Sequence, residues 1–100
     1  MECSNLDEVR ANIDRLDRQI VSLLAERGNY VLQAATFKPK LDDVSAPQRV
    51  EAVIRNVRKI AVEIGALPDV VETTYRSLIA AFIQAERTEY QRLQSNNSSE

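Results

Sequence analysis

The sequence predicts an all-α protein with three helices per chain, one of them a long N-terminal helix, in an intertwined helical homodimer. Three observations lead to this prediction. The 100 residues include two glycines and three prolines, so long helices are rarely interrupted. Apolar residues recur at alternating intervals of three and four, the period of a helix that packs on another helix. The first such segment is too long for the globule of one 100-residue chain, whose radius of gyration should be about 13 Å.

The first helix is predicted to run from Ser4 to Lys38. Ser4 and Asp7 have the spacing of a capping box, and Pro39 disfavours helical geometry in the residue before it. About 34 residues at 1.5 Å each make a rod of roughly 50 Å, which needs a second chain beside it. Its apolar row consists of Leu6, Val9, Ile13, Leu16, Ile20 and Leu23 and continues through Arg27, Tyr30, Ala34 and Phe37.

Two further helices are predicted after a loop. The second begins at Pro47, with Ser45 or Ala46 as its cap, and ends at Gly65. The third runs over about residues 68–93. The apolar face of the second helix consists of Val50, Val53, Ile54, Val57, Ala61 and Ile64. The row of the third consists of Val71, Tyr75, Ile79, Phe82 and Leu93, with Glu86 and Glu89 at the same spacing.

Length and composition predict one domain over residues 5–94, with flexible termini at 1–4 and 95–100. The net charge of −2, from 13 basic and 15 acidic residues, argues against a nucleic-acid binder. No apolar run reaches 18 residues, so we expect no membrane span. The N-terminus lacks the basic and apolar regions of a secretory signal. We therefore expect a cytoplasmic protein.

The composition also excludes several kinds of chemistry. The chain contains no histidine, which excludes a Ser-His-Asp triad, a Cys-His pair and most zinc sites. Cys3, the single cysteine, cannot form an internal disulfide and reads as a terminal residue without a role. Any reaction must therefore depend on Arg, Lys, Asp, Glu, Tyr or backbone groups.

Three cations lie on or beside the apolar row of the first helix. Arg27 occupies a position in the row, and Lys38 follows eleven residues later on the same face, roughly 16 Å along the axis. Arg10 is about 25 Å from Arg27, so one small ligand cannot touch both on one helix. In an antiparallel dimer, Arg10 of one chain can approach Arg27 and Lys38 of the other, which gives two shared sites. The alternatives are an ion-paired or snorkelling Arg27, a Lys38 that stabilises the helix dipole and a solvated Arg10.

Two charged residues of the other helices complete the pattern. Arg49 stands in the first turn of the second helix, where the dipole does not favour a cation and an anion would explain it. Glu86 falls in the apolar row of the third helix, where a carboxyl group tends to stay protonated and could donate a hydrogen bond. The alternatives are a surface role for Arg49 and an ion pair of Glu86 with Arg27. The five residues together suit a small dianion.

The three cations of the first helix, Arg10, Arg27 and Lys38, form part of a longer motif. It reads Leu6-Asp7-Glu8-Val9-Arg10-Ala11-Asn12-Ile13-Asp14-Arg15-Leu16-Asp17, then Leu23-Leu24-Ala25-Glu26-Arg27, then Lys38. The motif resembles the first helix of the all-helical chorismate mutases, and the likeness covers roughly residues 5–94. It implies an intertwined dimer in which Arg10 reaches the partner's site, Arg27 binds a substrate carboxylate and Lys38 meets a carboxylate and the ether oxygen. Arg49 matches the family's second-helix arginine, and Glu86 matches a Gln or Glu that faces the ether oxygen.

Other residues resemble a sibling branch, the isochorismate-pyruvate lyases. Many mutases carry an acid before the second helix and a Glu after its arginine, where this chain has Ala46 and Val50. The segments 46–50 and 30–38 are similar to the lyases, although those usually have Gln at the position of Glu86. The departures concern recognition of the substrate hydroxyl and leave the residues that bind carboxylates intact.

The resemblance implies a pericyclic reaction that needs no metal and no cofactor. The first interpretation is a chorismate mutase, which rearranges chorismate to prephenate. The alternative is an isochorismate-pyruvate lyase, which forms salicylate and pyruvate. In both cases Lys38 and Glu86 would be catalytic, and Arg10, Arg27 and Arg49 would bind the dicarboxylate substrate. A third interpretation, of another class, is a non-catalytic helical dimer that binds a small dianion.

Overall fold

The computed structural model describes residues 2–37 and 46–98. Three α-helices follow one another, α1 over Leu6–Ala34, α2 over Pro47–Ile64 and α3 over Pro68–Ser98. A short 3-10 turn, Ala35–Phe37, continues α1. The described ranges contain no strand, and the predicted all-α chain with three helices is confirmed.

The start of α1 differs by one residue from the predicted capping box. Asn5 caps the helix, because its side-chain oxygen accepts a hydrogen bond from the Glu8 N–H at 2.9 Å. The Ser4 N–H donates to the Glu8 carboxylate at 2.8 Å. The predicted pairing of Ser4 with Asp7 is therefore wrong. Asn caps as well as Ser, and the Asn5 register lets Glu8 reach back from the third helical position.

The end of α1 tightens before the predicted end at Lys38. Regular α-helix stops at Ala34, and the next three residues form the 3-10 turn. The Thr36 hydroxyl donates to the Gln33 carbonyl oxygen at 2.7 Å, a local bond of the kind that competes with α-helical bonding. Short 3-10 segments are common at the ends of α-helices.

Both ends of α2 lie where the sequence predicts them. Pro47 is the first helical residue, after Ala46 in the left-handed conformation at φ 30° and ψ 67° and without a side-chain cap. Gly65 ends the helix at φ 77°, a conformation that costs glycine little. The Ala66 N–H donates to the Ala61 carbonyl oxygen at 2.8 Å, which is the 6→1 hydrogen bond of a Schellman motif. Of the two predicted caps, Ser45 lies outside the described residues.

Helix α3 is longer than predicted. It continues to Ser98, beyond the predicted end at Leu93, because no glycine or proline stops it. The Glu89 carboxylate and the Arg92 guanidinium form an ion pair within its last turns. The flexibility predicted for residues 95–100 stays a prediction.

The chain divides into two compact units, residues 1–30 and 31–100. The first unit consists of most of α1. Among its described residues, Gly28 is the buried one. Its apolar row is exposed within a single chain, with accessible fractions from 39% to 63%: Leu6, Val9, Ile13, Leu16, Ile20 and Leu23. This row is therefore a surface of the single chain.

The second unit has a core of its own. Helices α2 and α3 pack on each other, and the 3-10 turn packs on α3. Its buried apolar residues are Ala35, Ile54, Val57, Ala61, Ile79 and Tyr90. Most of the predicted α2 and α3 rows are buried or half-buried.

Two residues of the second unit depart from the prediction. Ile64 is 74% exposed, because it lies beside Gly65 where the chain turns away. Tyr90 is absent from the predicted apolar row of α3 and is buried. Within the part of the chain that the structure describes, no helix is long and apolar enough to cross a membrane.

Candidate functional site

Helix α1 places two of the predicted basic residues far apart. Arg10 is exposed and Arg27 is half-buried, with its Nη1 atom shielded from solvent. Seventeen residues separate them, about 25 Å along a helix. A small diacid cannot contact both side chains of one chain.

Arg49 lies in the first turn of α2, as predicted, and is exposed. That turn contains no acidic residue, and Ala46 supplies no side-chain cap. The unpaired N–H groups of a helix start and a guanidinium together favour an anion. Arg49 is therefore placed where it can bind a carboxylate from solvent.

Glu86 is buried in α3, with 3% of its surface accessible. Its predicted position in the apolar row of α3 is confirmed. A buried carboxyl group is costly unless it is neutral or hydrogen-bonded, so this residue type is unusual at a core position. Its role toward a substrate stays a prediction.

In the second unit, Arg49 and Glu86 both lie toward the end of the α2–α3 pair that is remote from the 65–67 connection. Arg76 of α3 lies opposite Glu51 of α2, since their side chains form a two-bonded ion pair. Arg49 precedes Glu51 by two residues, Glu86 follows Arg76 by ten, and the helices run antiparallel. At 1.5 Å per residue, Arg49 and Glu86 lie about 12 Å apart along the axes. A small diacid and one arginine side chain can span that separation.

Lys38 lies outside the described residues, so its predicted position stays a prediction. The residues before it are informative. The 3-10 turn packs against α3, and Ala35 at its start is 1% exposed. Lys38 follows this turn directly in sequence, and α3 is also the helix that carries Glu86.

A row of charged residues that the sequence patterns do not predict connects α2 and α3. We call it the charge ladder, and its members in spatial order are Glu51, Arg76, Glu72, Arg58 and Asp69. Arg76 bonds Glu51 at 2.9 and 3.0 Å and Glu72 at 2.8 Å. Arg58 bonds Glu72 at 2.8 Å and Asp69 at 3.0 Å. The i,i+4 spacing of Glu72 and Arg76 was visible in the sequence, whereas the bonds between helices depend on their register.

The ladder changes the acidity of its members. Hydrogen bonds from Arg76 lower the pKa of Glu51 below its usual value. Hydrogen bonds from Arg76 and then Arg58 lower the pKa of Glu72. The carboxylates of Glu51 and Glu72 in turn raise the pKa of Arg76. Glu51 and Arg76 are exposed and Glu72 and Arg58 are partly exposed, so screening by water limits the energies involved.

Two other features bear on the kind of site. The described residues contain no group of three or more His, Cys, Asp or Glu that could hold a metal ion. A shallow, open depression on α1 is lined by Arg18, Gln19, Ser22 and Leu23. It contains none of the predicted site residues.

Comparison with known proteins agrees with the helical fold and with the motif of α1. Residues 9–87 match the family described as chorismate mutase type II. The chain is also 35% identical over 91 residues to a protein of Pseudomonas aeruginosa named isochorismate pyruvate lyase. That alignment covers 91% of this chain and 89% of the relative. The chain belongs to the chorismate mutase type II family.

Proposed function

We propose that this protein is an isochorismate-pyruvate lyase that works as a homodimer with two shared active sites. The observation that carries the proposal is its 35% identity, over nearly the full length of both chains, to a protein of that name. The family alone leaves chorismate mutase as the first interpretation of the sequence, and the relative shifts the preference to the lyase.

The start of α2 supports this preference. Ala46 and Val50 replace the acids that many mutases carry there, and both are half-buried beside Arg49. Neither side chain can accept a hydrogen bond from a substrate hydroxyl. A site built on them would select its substrate by its carboxylates and shape.

The proposed reaction depends on holding the substrate in its reactive conformer more than on reactive groups of the protein. Isochorismate splits into salicylate and pyruvate when the ether C–O bond breaks and one ring hydrogen moves to the enolpyruvyl methylene carbon. The products then contain all the atoms of the substrate, and no nucleophile or oxidant takes part. Holding the reactive conformer can supply roughly 7–11 kcal/mol of the barrier.

Five side chains would perform this positioning. Arg27 and Arg49 of one chain and Arg10 of the partner would bind the two carboxylates, for which the arginine fork is well suited. Lys38 would donate to the ether oxygen and stabilise its developing negative charge. Glu86 would face the same oxygen from the buried side of α3.

Two features of α1 support the proposed dimer. Its apolar row is exposed along one chain, and Arg10 lies too far from Arg27 for one ligand to meet both. An antiparallel second α1 would cover the row and bring its own Arg10 to the Arg27 end. Two-fold symmetry would produce two such sites.

Chorismate mutase is the second candidate. A specific observation favours it, because α3 buries a Glu at position 86, whereas lyases of this family usually carry Gln there. In a mutase the same five residues would hold chorismate in the conformer that rearranges to prephenate.

A paired assay separates the candidates. Purified protein is given isochorismate and, separately, chorismate, and salicylate, pyruvate and prephenate are quantified. We expect efficient release of salicylate and pyruvate in a one-to-one ratio. Prephenate from chorismate with little salicylate from isochorismate would make the protein a mutase.

Consumption of neither substrate would leave a binding protein of another class. A diacid bound in a non-catalytic site would still raise the melting temperature by mass action. No rise with chorismate or isochorismate would mean that the charged residues are structural.

A further inference from the structure

The Glu51–Arg76 ion pair lies one half-turn of α2 away from Arg49. Both Glu51 carboxylate oxygens accept hydrogen bonds from Arg76, at 2.9 and 3.0 Å. This two-bonded geometry fixes orientation as well as distance. Arg76 is held in turn by Glu72, through its Nε atom.

The first two turns of α2 contain half-buried side chains, those of Val50, Ala52 and Val53. The first buried side chain of the helix is Ile54, two turns after Pro47. Ala46 provides no side-chain cap and stands in a left-handed conformation that is unusual for alanine. Without a strong attachment this end of the helix would fray.

We propose that the Glu51–Arg76 ion pair positions Arg49, by holding the first two turns of α2 on α3 so that the guanidinium meets the substrate carboxylate. This inference rests on the proposed function only where it assigns Arg49 to the substrate. Glu51 and Arg76 do not touch the substrate and are positioning residues.

The two possible roles of the pair predict different measurements. A pair that merely stabilises the fold would change the melting temperature slightly, because exposed ion pairs contribute little. A pair that positions Arg49 would change substrate binding much more, since small displacements of a binding group have large kinetic effects. The ratio of the two effects therefore tests the proposal.

The test uses Glu51→Gln and a matched control, Asp69→Asn. Each variant replaces a ladder carboxylate by its amide, at opposite ends of the ladder, and Asp69 is 95% exposed. We expect Glu51→Gln to raise KM about tenfold while kcat changes little. Both melting temperatures should fall by about 4 °C or less, and Asp69→Asn should keep the native KM.

Amide hydrogen exchange provides a readout that needs no substrate. The amides of residues 50–53 are the first in α2 with a helical acceptor, as the bond from the Val50 N–H to the Ala46 carbonyl oxygen shows. They should exchange about fivefold faster in Glu51→Gln and at the native rate in Asp69→Asn.

The outcomes separate this inference from the proposed function. An unchanged KM in Glu51→Gln, or equal changes in both variants, would overturn the positioning role while the native enzyme still works. If the native protein consumes neither substrate, the proposed function has failed. Amide hydrogen exchange then tests by itself whether the ion pair holds the start of α2. Faster exchange in Glu51→Gln alone would support the ion pair as the attachment of α2, and equal exchange in all three proteins would overturn it.

Discussion

The two units of this chain have the same pattern of apolar residues, but that pattern is buried in one unit and exposed in the other. In residues 31–100 the apolar rows of α2 and α3 cover each other and form a core. In residues 1–30 a row of the same period is exposed along the single helix. A helical period of apolar residues therefore predicts a face suited to burial, and does not determine what covers that face.

Helix length and connection explain the difference. Residues 65–67 join α2 to α3, so the two helices must lie side by side as a hairpin. The 29 residues of α1 make a rod of about 44 Å and the 31 residues of α3 one of about 46 Å, against about 27 Å for the 18 residues of α2. Two long rods present more apolar surface than the short α2 can cover, which is the physical reason to expect a second copy.

The largest effect should come from a charge in the row of α1. Ile13 is half exposed in the single chain, so Ile13→Glu should cost a monomer little but should place unpaired charges in a dimer interface. We expect the molecular mass measured by sedimentation to fall from that of two 11.3 kDa chains to that of one. Activity should be lost with the dimer.

A control on the opposite face of α1 sharpens this prediction. Ala25 is exposed and lies away from the row, so Ala25→Glu should leave the dimer intact. Equal sedimentation of the two variants would contradict the view that the row is the contact surface.

Lys38, in the segment between α1 and α2, should give the next largest effect. Lys38→Ala removes the proposed donor to the ether oxygen, and turnover should fall about 10²–10³-fold. Circular dichroism and sedimentation should remain native, because the side chain is assigned to the reaction. Lys40→Ala removes the same charge two residues away and should keep turnover. Full activity in Lys38→Ala would remove this residue from the site.

Two isoleucines of α2 test whether the second unit has its own core. Ile54 is 3% exposed and Ile64 is 74% exposed. Ile54→Ala should lower the free energy of unfolding by about 2–5 kcal/mol, through lost burial and a cavity. Ile64→Ala should change it by about 0.5 kcal/mol or less. Urea denaturation measures both, and equal losses would mean that Ile64 is covered in the assembled protein.

The charge ladder should give the smallest effect, and it should depend on pH. The pKa values of Glu51 and Glu72 lie below their ordinary 4.5 in the folded chain. Their contribution to stability is therefore present above pH 4.5 and is lost as the pH falls through the lowered values. At neutral pH the free energy of unfolding of the native protein should exceed that of the double variant Glu51→Gln, Glu72→Gln. The difference between the two should disappear in acid. Glu63→Gln, outside the ladder, should not show this closing gap.

The sequence predicted those features that depend on strong local preferences. Pro47 and Gly65 fixed the ends of α2 because one suits a first helical turn and the other a left-handed residue. Glu86 was predicted in the core from its place in the row, and it is buried. These features need no knowledge of what lies opposite.

The features that the sequence missed depend on competition or on register. Ser4 and Asn5 are adjacent and equally good caps, so the choice between them rested on the reach of Glu8. The exposure of Ile64 and the bond of Arg76 to Glu51 depend on which residues of α3 face α2. Periodicity within one helix contains no information about that register.

The most direct test of the account is whether two inactive chains restore a site together. Arg10→Ala and Lys38→Ala proteins are each purified, mixed in equal amounts, unfolded and refolded, and assayed with isochorismate. If Arg10 acts in the partner's site, half of the dimers are mixed and each has one intact site. Activity should then return to about one quarter of the native level. Activity no higher than the sum of the two parents would contradict the shared site and, with it, the role assigned to the exposed row of α1.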